Sequence, residues 1–222
     1  MNKVIVVGGG KGGVGKTTIA MGVADLLISK GENVVLVESD KENSDAYFAL
    51  EKVTKSIICD LAEVRGWESL GNEIEANPNS CFVVNTASGA TKDIKANGHL
   101  LTDVADELKR DLIMLWPINR QRDCLELLNK FFETDSAKKY TATYAVKNMY
   151  FGDSHKFARF DNSNVKKKVT GTIDMPELYD MLADKIIDNR FAFSNATGLS
   201  IVERSILAKF RTDVEKAFNE ML

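Results

Sequence analysis

Proline, cysteine and long apolar runs are scarce in this sequence, and each scarcity excludes a class of protein. Only three prolines occur in 222 residues, and no low-complexity segment marks a linker, so we expect residues 1–222 to form a single domain. The three cysteines are widely spaced and form no Cys-x-x-Cys pair, which argues against a disulfide scaffold and against an iron–sulfur cluster within one chain. No apolar run is long enough to span a membrane.

The first residues and the overall charge are informative as well. The first residues, MNKVIVV, run directly into glycines, so we expect no signal peptide. A net charge of −3, with 27% charged and 44% hydrophobic residues, is ordinary for a globular protein and argues against a wholly basic nucleic-acid binder. Together with the odd number and wide spacing of the cysteines, these features favour a cytoplasmic protein.

The sequence does contain a glycine-rich stretch, VIVVGGGKGGVGKTTIAMG, at residues 4–22. Gly10, Gly15, Lys16 and Thr17 fit the pattern G-x-x-x-x-G-K-[ST] without a mismatch. A β-branched run precedes the glycines and a helical pattern over residues 17–30 follows them, which is the context that a phosphate-binding loop requires. Backbone N–H groups and the helix N-terminus would bind phosphate, Lys16 would reach the β- and γ-phosphates, and the Thr17 hydroxyl would bind Mg²⁺.

A second glycine pattern overlaps the first and predicts a different ligand. Gly8, Gly10 and Gly13 satisfy G-x-G-x-x-G, and Glu38 ends the next predicted strand, where the ribose-binding acid of a dinucleotide site would lie. A dinucleotide site has no use for Gly-Lys-Thr-Thr at the helix start, so the phosphate-loop interpretation is favoured.

The additional lysine of this loop, Lys11, points to a family. The run GKGGVGKTT resembles the deviant P-loop of the ParA/MinD ATPases, and the resemblance is strong over residues 3–48. It implies a nucleotide-sandwich homodimer that binds ATP and Mg²⁺, in which Lys11 crosses the interface to the partner's nucleotide and is catalytic together with Lys16. Without that role, Lys11 would be a solvated lysine of a polar loop. The nucleotide would be held by the loop residues Gly10, Lys11, Gly12, Gly13, Val14, Gly15, Lys16, Thr17 and Thr18.

The rest of the chain alternates predicted strands with predicted helices. We expect strands at residues 33–38, 81–85, 111–116, 143–148 and 168–173. Helical patterns occupy approximately residues 98–110, 121–134, 176–190 and 200–221. This alternation indicates an α/β fold with a doubly wound, mainly parallel sheet and helices on both faces, as in the P-loop NTPases.

Polar residues at two predicted strand ends bear on metal binding and hydrolysis. The resemblance implies that Asp40 lies near Mg²⁺ and the attacking water, so we expect it to be catalytic and to contact the metal together with Thr17; as a turn acid it would be structural instead. Glu38 stands where the family usually has aspartate. Asn85 occupies the place of the Walker B aspartate, and because an amide carries no negative charge, we expect slow hydrolysis.

Three features concern the base and the partners. Asn148 resembles the family asparagine that contacts adenine, or is a strand-end turn residue, and the lack of an Asn-Lys-x-Asp signature favours ATP over GTP. Residues 138–168 carry a net charge of +6 with interleaved aromatics, which suits non-specific DNA binding or a solvated face above core aromatics. The C-terminal helix balances acidic and basic side chains, so membrane binding is not expected.

These features and the resemblance predict a ParA/MinD-like ATPase that acts as a dimeric switch in plasmid or DNA partition or positioning, with or without a protein adaptor. Two other functions stay open at this point. One is a membrane- or protein-bound regulatory switch with little turnover, and the other is an ATP-dependent ligase-type enzyme that acts on a small molecule.

Overall fold

The computed structural model describes residues 2–222 and contains a seven-stranded sheet in which every paired strand is parallel. The strands are β1 (Lys3–Val7), β2 (Val34–Glu38), β3 (Lys55–Ile58), β4 (Cys81–Asn85), β5 (Asp111–Ile118), β6 (Ala142–Asn148) and β7 (Gly171–Met175). Their order across the sheet is β3-β2-β4-β1-β5-β6-β7, which places β1 at the centre.

Both faces of the sheet are covered, because successive side chains of a strand point to opposite faces and nearly all of them are apolar. In β1, for example, Ile5 and Val7 join one core cluster, whereas Val4 and Val6 join the other. The first cluster lies under α1 (Lys16–Ser29), α2 (Asp45–Leu50), α7 (Asp180–Asp188) and α8 (Ile201–Phe218). The second lies under α3 (Val64–Ala76), α4 (Thr91–Glu107), α5 (Arg122–Phe132) and the short α6 (Ala158–Asp161). The predicted doubly wound α/β fold is confirmed.

Several boundaries differ from those predicted. The last strand begins at Gly171 rather than at residue 168, and α4 begins at Thr91, seven residues before the predicted start. The Asn-Gly pair inside α4 resembles a turn signal, but Gly98 is buried where α4 packs beside Ser136, so tertiary contact overrides the local signal. The elements β3, α2, α3 and α6 were not predicted; β3 is only four residues long and partly exposed.

The C-terminal helix α8 packs against α1 and β7. Its apolar side is buried through Leu207, Phe210, Val214 and Phe218, and Arg211 donates to the buried Asp25 carboxylate of α1 at 2.7 Å. This face is therefore covered by the core, in agreement with the packed helix expected from its charge pattern. No helix within residues 2–222 is both long and apolar enough to cross a lipid bilayer.

The register of the sheet brings three sequence-distant segments to one edge. Asn85, the last residue of β4, is level with Val7 of β1 on one side and with Glu38 of β2 on the other. The glycine-rich loop follows Val7 directly. The carboxyl ends of β1, β2 and β4 thus surround the loop, and ligands of open α/β sheets bind at such an edge.

Candidate nucleotide-binding site

The glycine-rich loop adopts a conformation that depends on glycine. Gly9, Gly13 and Gly15 have positive φ values of 136°, 70° and 91°. At Gly15 a side chain is also excluded by space, because a Cβ atom there would lie 2.3 Å from the Asn148 Nδ2 atom. Gly15 immediately precedes α1, which begins at Lys16, so the loop ends at a helix N-terminus that favours an anion.

Lys16 is buried at the start of α1. Its Nζ atom donates to the Lys11 carbonyl oxygen at 3.0 Å, so the ammonium group lies over the loop. Burial lowers the pKa of Lys16, and the carboxylates of Asp40 and Glu38 oppose that shift. A buried cation beside a glycine loop is suited to bind a phosphate group, because each charge-assisted hydrogen bond would recover part of the desolvation cost.

Lys11 points to a different part of the molecule. Its Nζ atom donates to Asp123 Oδ2 at 2.5 Å and to the side-chain oxygen of Gln121, both at the N-terminal end of α5. The ammonium of Lys11 holds the pKa of the Asp123 carboxyl below its usual range. Neither partner was predicted, because nothing local in the sequence links residue 11 to residues 121 and 123. The two loop lysines therefore contact different groups.

Glu38 and Asn85 form a buried pair beside the start of α1. Asn85 Nδ2 donates to Glu38 Oε2 at 2.8 Å and lies 3.5 Å from Thr17 Oγ1. The other carboxylate oxygen, Glu38 Oε1, accepts the backbone N–H of Asp40 at 2.9 Å. Glu38 is fully buried, and burial raises its pKa to about 7, with the hydrogen bond from Asn85 opposing the shift. Sequence reasoning treated the two residues separately and missed their contact.

Asp40 has the geometry of a turn acid, and its predicted catalytic role stays a prediction. Its Oδ1 atom accepts the backbone N–H groups of Glu42 and Asn43 at 3.2 and 3.0 Å, so the side chain closes a turn. It also lines a cavity of about 240 Å³ at the mouth of the loop. The cavity is bounded as well by Gly13, Gly15, Lys16, Thr17, Asn43, Asp45, Asn85, Thr86, Ser88 and Ile187.

The polar atoms of this cavity fit a hydrated Mg²⁺ ion that shares its ligands with a nucleotide. The Oδ1 atom of Asn85 is buried and has no hydrogen-bond partner among the described residues, so it is available to a metal-bound water. Within residues 2–222, no three His, Cys, Asp or Glu side chains converge as a metal site. Mg²⁺ commonly takes one or two protein oxygens and completes its shell with waters and phosphate oxygens, so Thr17 and Asp40 would be the expected protein ligands.

Asn148 lies against the loop rather than in open space. Its Nδ2 atom donates to the Val14 carbonyl at 3.0 Å, and its Oδ1 atom accepts the Tyr150 N–H at 3.1 Å. Both ends of the amide are therefore bonded to backbone, and the residue is buried. This geometry supports a loop-holding role and leaves the predicted contact with adenine an untested prediction.

Replacing Asn148 with alanine is expected to lower the free energy of unfolding by about 1–3 kcal/mol, because the buried Val14 carbonyl and the partly buried Tyr150 N–H lose their partners. A role in holding the loop predicts that ATP and GTP affinity fall by the same factor. Urea denaturation and calorimetry with both nucleotides measure the two effects. Asn189→Ala, which removes an exposed amide, is the control. A loss confined to ATP would instead support an adenine contact.

The basic segment 138–168 is partly neutralised by its surroundings. Ion pairs join Lys138 to Asp135, Lys139 to Asp103, and both Lys147 and Lys166 to Asp161. The aromatic rings of Phe157 and Phe160 are buried beneath Lys147. Among residues 2–222, carboxylate partners are lacking for Lys156, Arg159, Lys167 and Lys168, the last of which donates to Asn129. Many of the basic and aromatic residues of segment 138–168 therefore form ion pairs or pack locally.

A parallel sheet whose central strand ends in this loop, followed by Lys-Thr at a helix start, defines a P-loop nucleotide-binding protein. Residues 5–141 match the family model described as the CobQ/CobB/MinD/ParA nucleotide binding domain. The chain belongs to this family, so the resemblance to ParA/MinD ATPases inferred from Lys11 and Lys16 is confirmed.

Two curated relatives support the assignment. Protein MobD of Acidithiobacillus ferrooxidans is 34% identical over 224 residues, which cover 99% of this chain and 97% of the relative. Maintenance of carboxysome distribution protein A of Gloeobacter kilaueensis is 39% identical over 84 residues, or 38% of each chain.

Solved structures share the fold at low identity. The MinD cell division protein of Aquifex aeolicus has a TM-score of 0.60 at 16% identity, covering 98% of this chain and 97% of its own. An ATP complex of Cyanothece McdA has a TM-score of 0.61 at 12% identity, with 99% and 96% covered. At these identities the similarity shows the fold alone.

Proposed function

We propose that this chain, acting as one domain, binds ATP with Mg²⁺ and hydrolyses it as a nucleotide-sandwich homodimer. The observation that carries the proposal is the cavity at the sheet edge, where Lys16, Thr17, Asp40 and Asn85 meet below the glycine loop. The cavity contains a buried cation for phosphate, hydroxyl and carboxyl oxygens for a metal, and an acid placed to orient water.

Each side chain has a defined task in this proposal. Lys16 binds the phosphates of the nucleotide in its own chain, Thr17 contributes a hydroxyl to Mg²⁺, and Asp40 orients the attacking water. Bound Mg²⁺ would neutralise charge on the phosphate oxygens. Lys11 leaves Asp123 and reaches across the dimer interface, where a cation stabilises charge that develops during phosphoryl transfer. The neutral Asn85 supports slow turnover, which suits a switch.

We further propose that the switch positions a cargo, with DNA or a plasmid as the first candidate. The family includes ParA and MinD, and one relative carries carboxysome distribution in its name. DNA would bind without sequence preference through basic residues of 138–168, and a protein adaptor could couple the dimer to its cargo. The covered face of α8 gives no support to a membrane-bound alternative.

Light scattering with ADP and then with a non-hydrolysable ATP analogue tests the switch. We expect a monomer with ADP and a dimer with the analogue. Sedimentation with DNA and with liposomes in the presence of ATP then distinguishes the cargo classes. A dimer that forms regardless of nucleotide and turns over a small molecule would contradict the proposal and favour the ligase-type function.

Replacing Lys156, Arg159 and Lys167 with glutamine is expected to weaken ATP-dependent DNA binding across all sequences, because these cations have no carboxylate partner among the described residues. The slope of log affinity against log salt should flatten by roughly one unit for each phosphate group that the variant no longer binds. The matched control replaces Lys138, Lys139 and Lys166, which carry the same charge but are ion-paired. Equal effects of the two triple variants, or no DNA binding by the wild type, would contradict this assignment.

A further inference from the structure

Strand β4 ends at the cavity in Asn85, at the position where we expected an aspartate. The nearest buried negative charge lies on the adjacent strand β2. Asn85 ends β4 as a neutral amide, and its register partner on β2 is Glu38. The amide donates to the Glu38 carboxylate at 2.8 Å and lies 3.5 Å from the Thr17 hydroxyl. Asn85 therefore bridges the carboxylate to the residue expected to bind Mg²⁺.

The environment of Glu38 is unusual for a carboxylate. The side chain is fully buried, and the ammonium group of Lys16 interacts with it electrostatically, although no direct ion pair to Glu38 is found among the described residues. Its two oxygens accept hydrogen bonds from the Asn85 amide and from the Asp40 backbone N–H. A cation bound in the adjacent cavity would add to the charge of Lys16 in stabilising this buried carboxylate.

The Oδ1 atom of Asn85 also favours a cation or a metal-bound water as the ligand. Asn85 Oδ1 is buried with no partner among residues 2–222, although its Nδ2 atom is bonded. An amide held by a carboxylate through its nitrogen presents a more basic oxygen, and hydrogen bonds of this kind tune the groups around metal ions. The pair thus offers a polarised oxygen at the cavity that also contains Thr17 and Asp40.

We propose that Glu38 is a positioning residue for Mg²⁺, and that the Glu38–Asn85 pair replaces the single aspartate expected at position 85. The negative charge is on β2 rather than on β4, and Asn85 transmits it to the hydration shell of the metal. The inference rests on the proposed Mg–ATP function, because it assigns a role within the same cavity. It differs from a structural role for Glu38, which would require only oxygens that accept the Asp40 N–H and the Asn85 amide.

A charge-swap experiment separates these roles. Glu38→Gln keeps an oxygen for the Asp40 N–H, removes the charge and replaces the oxygen that accepts the Asn85 amide with an N–H donor. Glu38→Gln combined with Asn85→Asp returns the charge to β4 and restores a complementary amide–carboxylate pair. Calorimetry measures ATP affinity in Mg²⁺ and in EDTA for the wild type and both variants, and thermal denaturation in EDTA checks folding.

We expect Mg²⁺ to tighten ATP binding by the wild type and the double variant. In Glu38→Gln, the Mg²⁺-dependent gain should fall about 10- to 100-fold, as for other outer-shell substitutions, while ATP affinity in EDTA is unchanged. A Glu38→Gln protein with wild-type Mg²⁺ dependence, or a folded double variant that lacks it, would overturn the inference. If Glu38→Gln does not fold, the double variant compared with wild type carries the test.

The outcomes also distinguish this inference from the proposed function. A wild type that binds no ATP, or binds it equally with Mg²⁺ and with EDTA, refutes the proposed function and the inference with it. If Mg²⁺ tightens ATP binding equally in the wild type and in the Glu38→Gln variant, the inference is refuted and the proposed function is not.

Discussion

Replacing Lys16 with alanine is expected to abolish measurable ATP binding. The substitution removes the buried cation that lies over the loop, and each charge-assisted hydrogen bond to a phosphate contributes about 1.5–3 kcal/mol. Removal of two such bonds would raise the dissociation constant for ATP roughly 100-fold to 10,000-fold. Calorimetry with ATP and Mg²⁺ measures this change, and circular dichroism checks that α1 still forms.

Lys41→Ala is the matched control for this experiment. Lys41 is also a lysine close to the site, but it is exposed and paired with Asp60 at 2.8 Å. We expect its ATP affinity to stay within about twofold of wild type, since exposed ion pairs contribute little. Equal ATP affinity of the Lys16 variant and the wild type would reject the phosphate-loop assignment.

Replacing Lys11 with alanine is expected to separate nucleotide binding from dimerisation. The Lys11 ammonium is directed to α5 rather than over its own loop, so ATP binding by the monomer should be nearly unchanged. The ATP-dependent dimer should no longer form, and hydrolysis should fall by about 1,000-fold or more, the range observed for cations supplied in trans. Light scattering and phosphate release measure the two effects.

Asp123→Ala tests whether Lys11 acts only within its own chain. It removes the same ion pair but leaves the lysine in place. An in-trans role predicts that the Asp123 variant still dimerises and hydrolyses ATP, because Lys11 remains available. If neither variant dimerises or hydrolyses ATP, the contact between Lys11 and α5 is the important one, and the proposed role of Lys11 across the interface is wrong.

The parts predicted correctly from the sequence depend on local order along the chain. The strand, the glycines and the helix start at Lys16 follow one another directly, so the loop and its context are visible in about twenty-five residues. The alternation of longer strands and helices likewise indicates the doubly wound sheet, because each element carries its own periodicity. The short edge strand β3 has too few residues to carry such a signal.

The parts that were missed depend on contacts between distant segments. The pairing of Glu38 with Asn85 follows from strand register across 47 positions, which no local pattern records. The lysines of the basic segment likewise find partners at Asp103 and Asp135, outside the segment whose charge was counted. Composition therefore overestimated the free positive charge, and an isolated view of Asn85 overlooked the neighbouring acid.

The central position of β1 has a consequence for how the chain acquires its site. The loop after β1 is held by Asn148 of β6 and bordered by residues of β2 and β4, and every one of these strands is joined to its neighbour by a parallel pairing. Parallel pairings need long crossovers, so the residues around the loop come from distant parts of the chain and meet only in the assembled sheet. A nucleotide that binds this assembled site and not the unfolded chain would stabilise the folded protein by mass action.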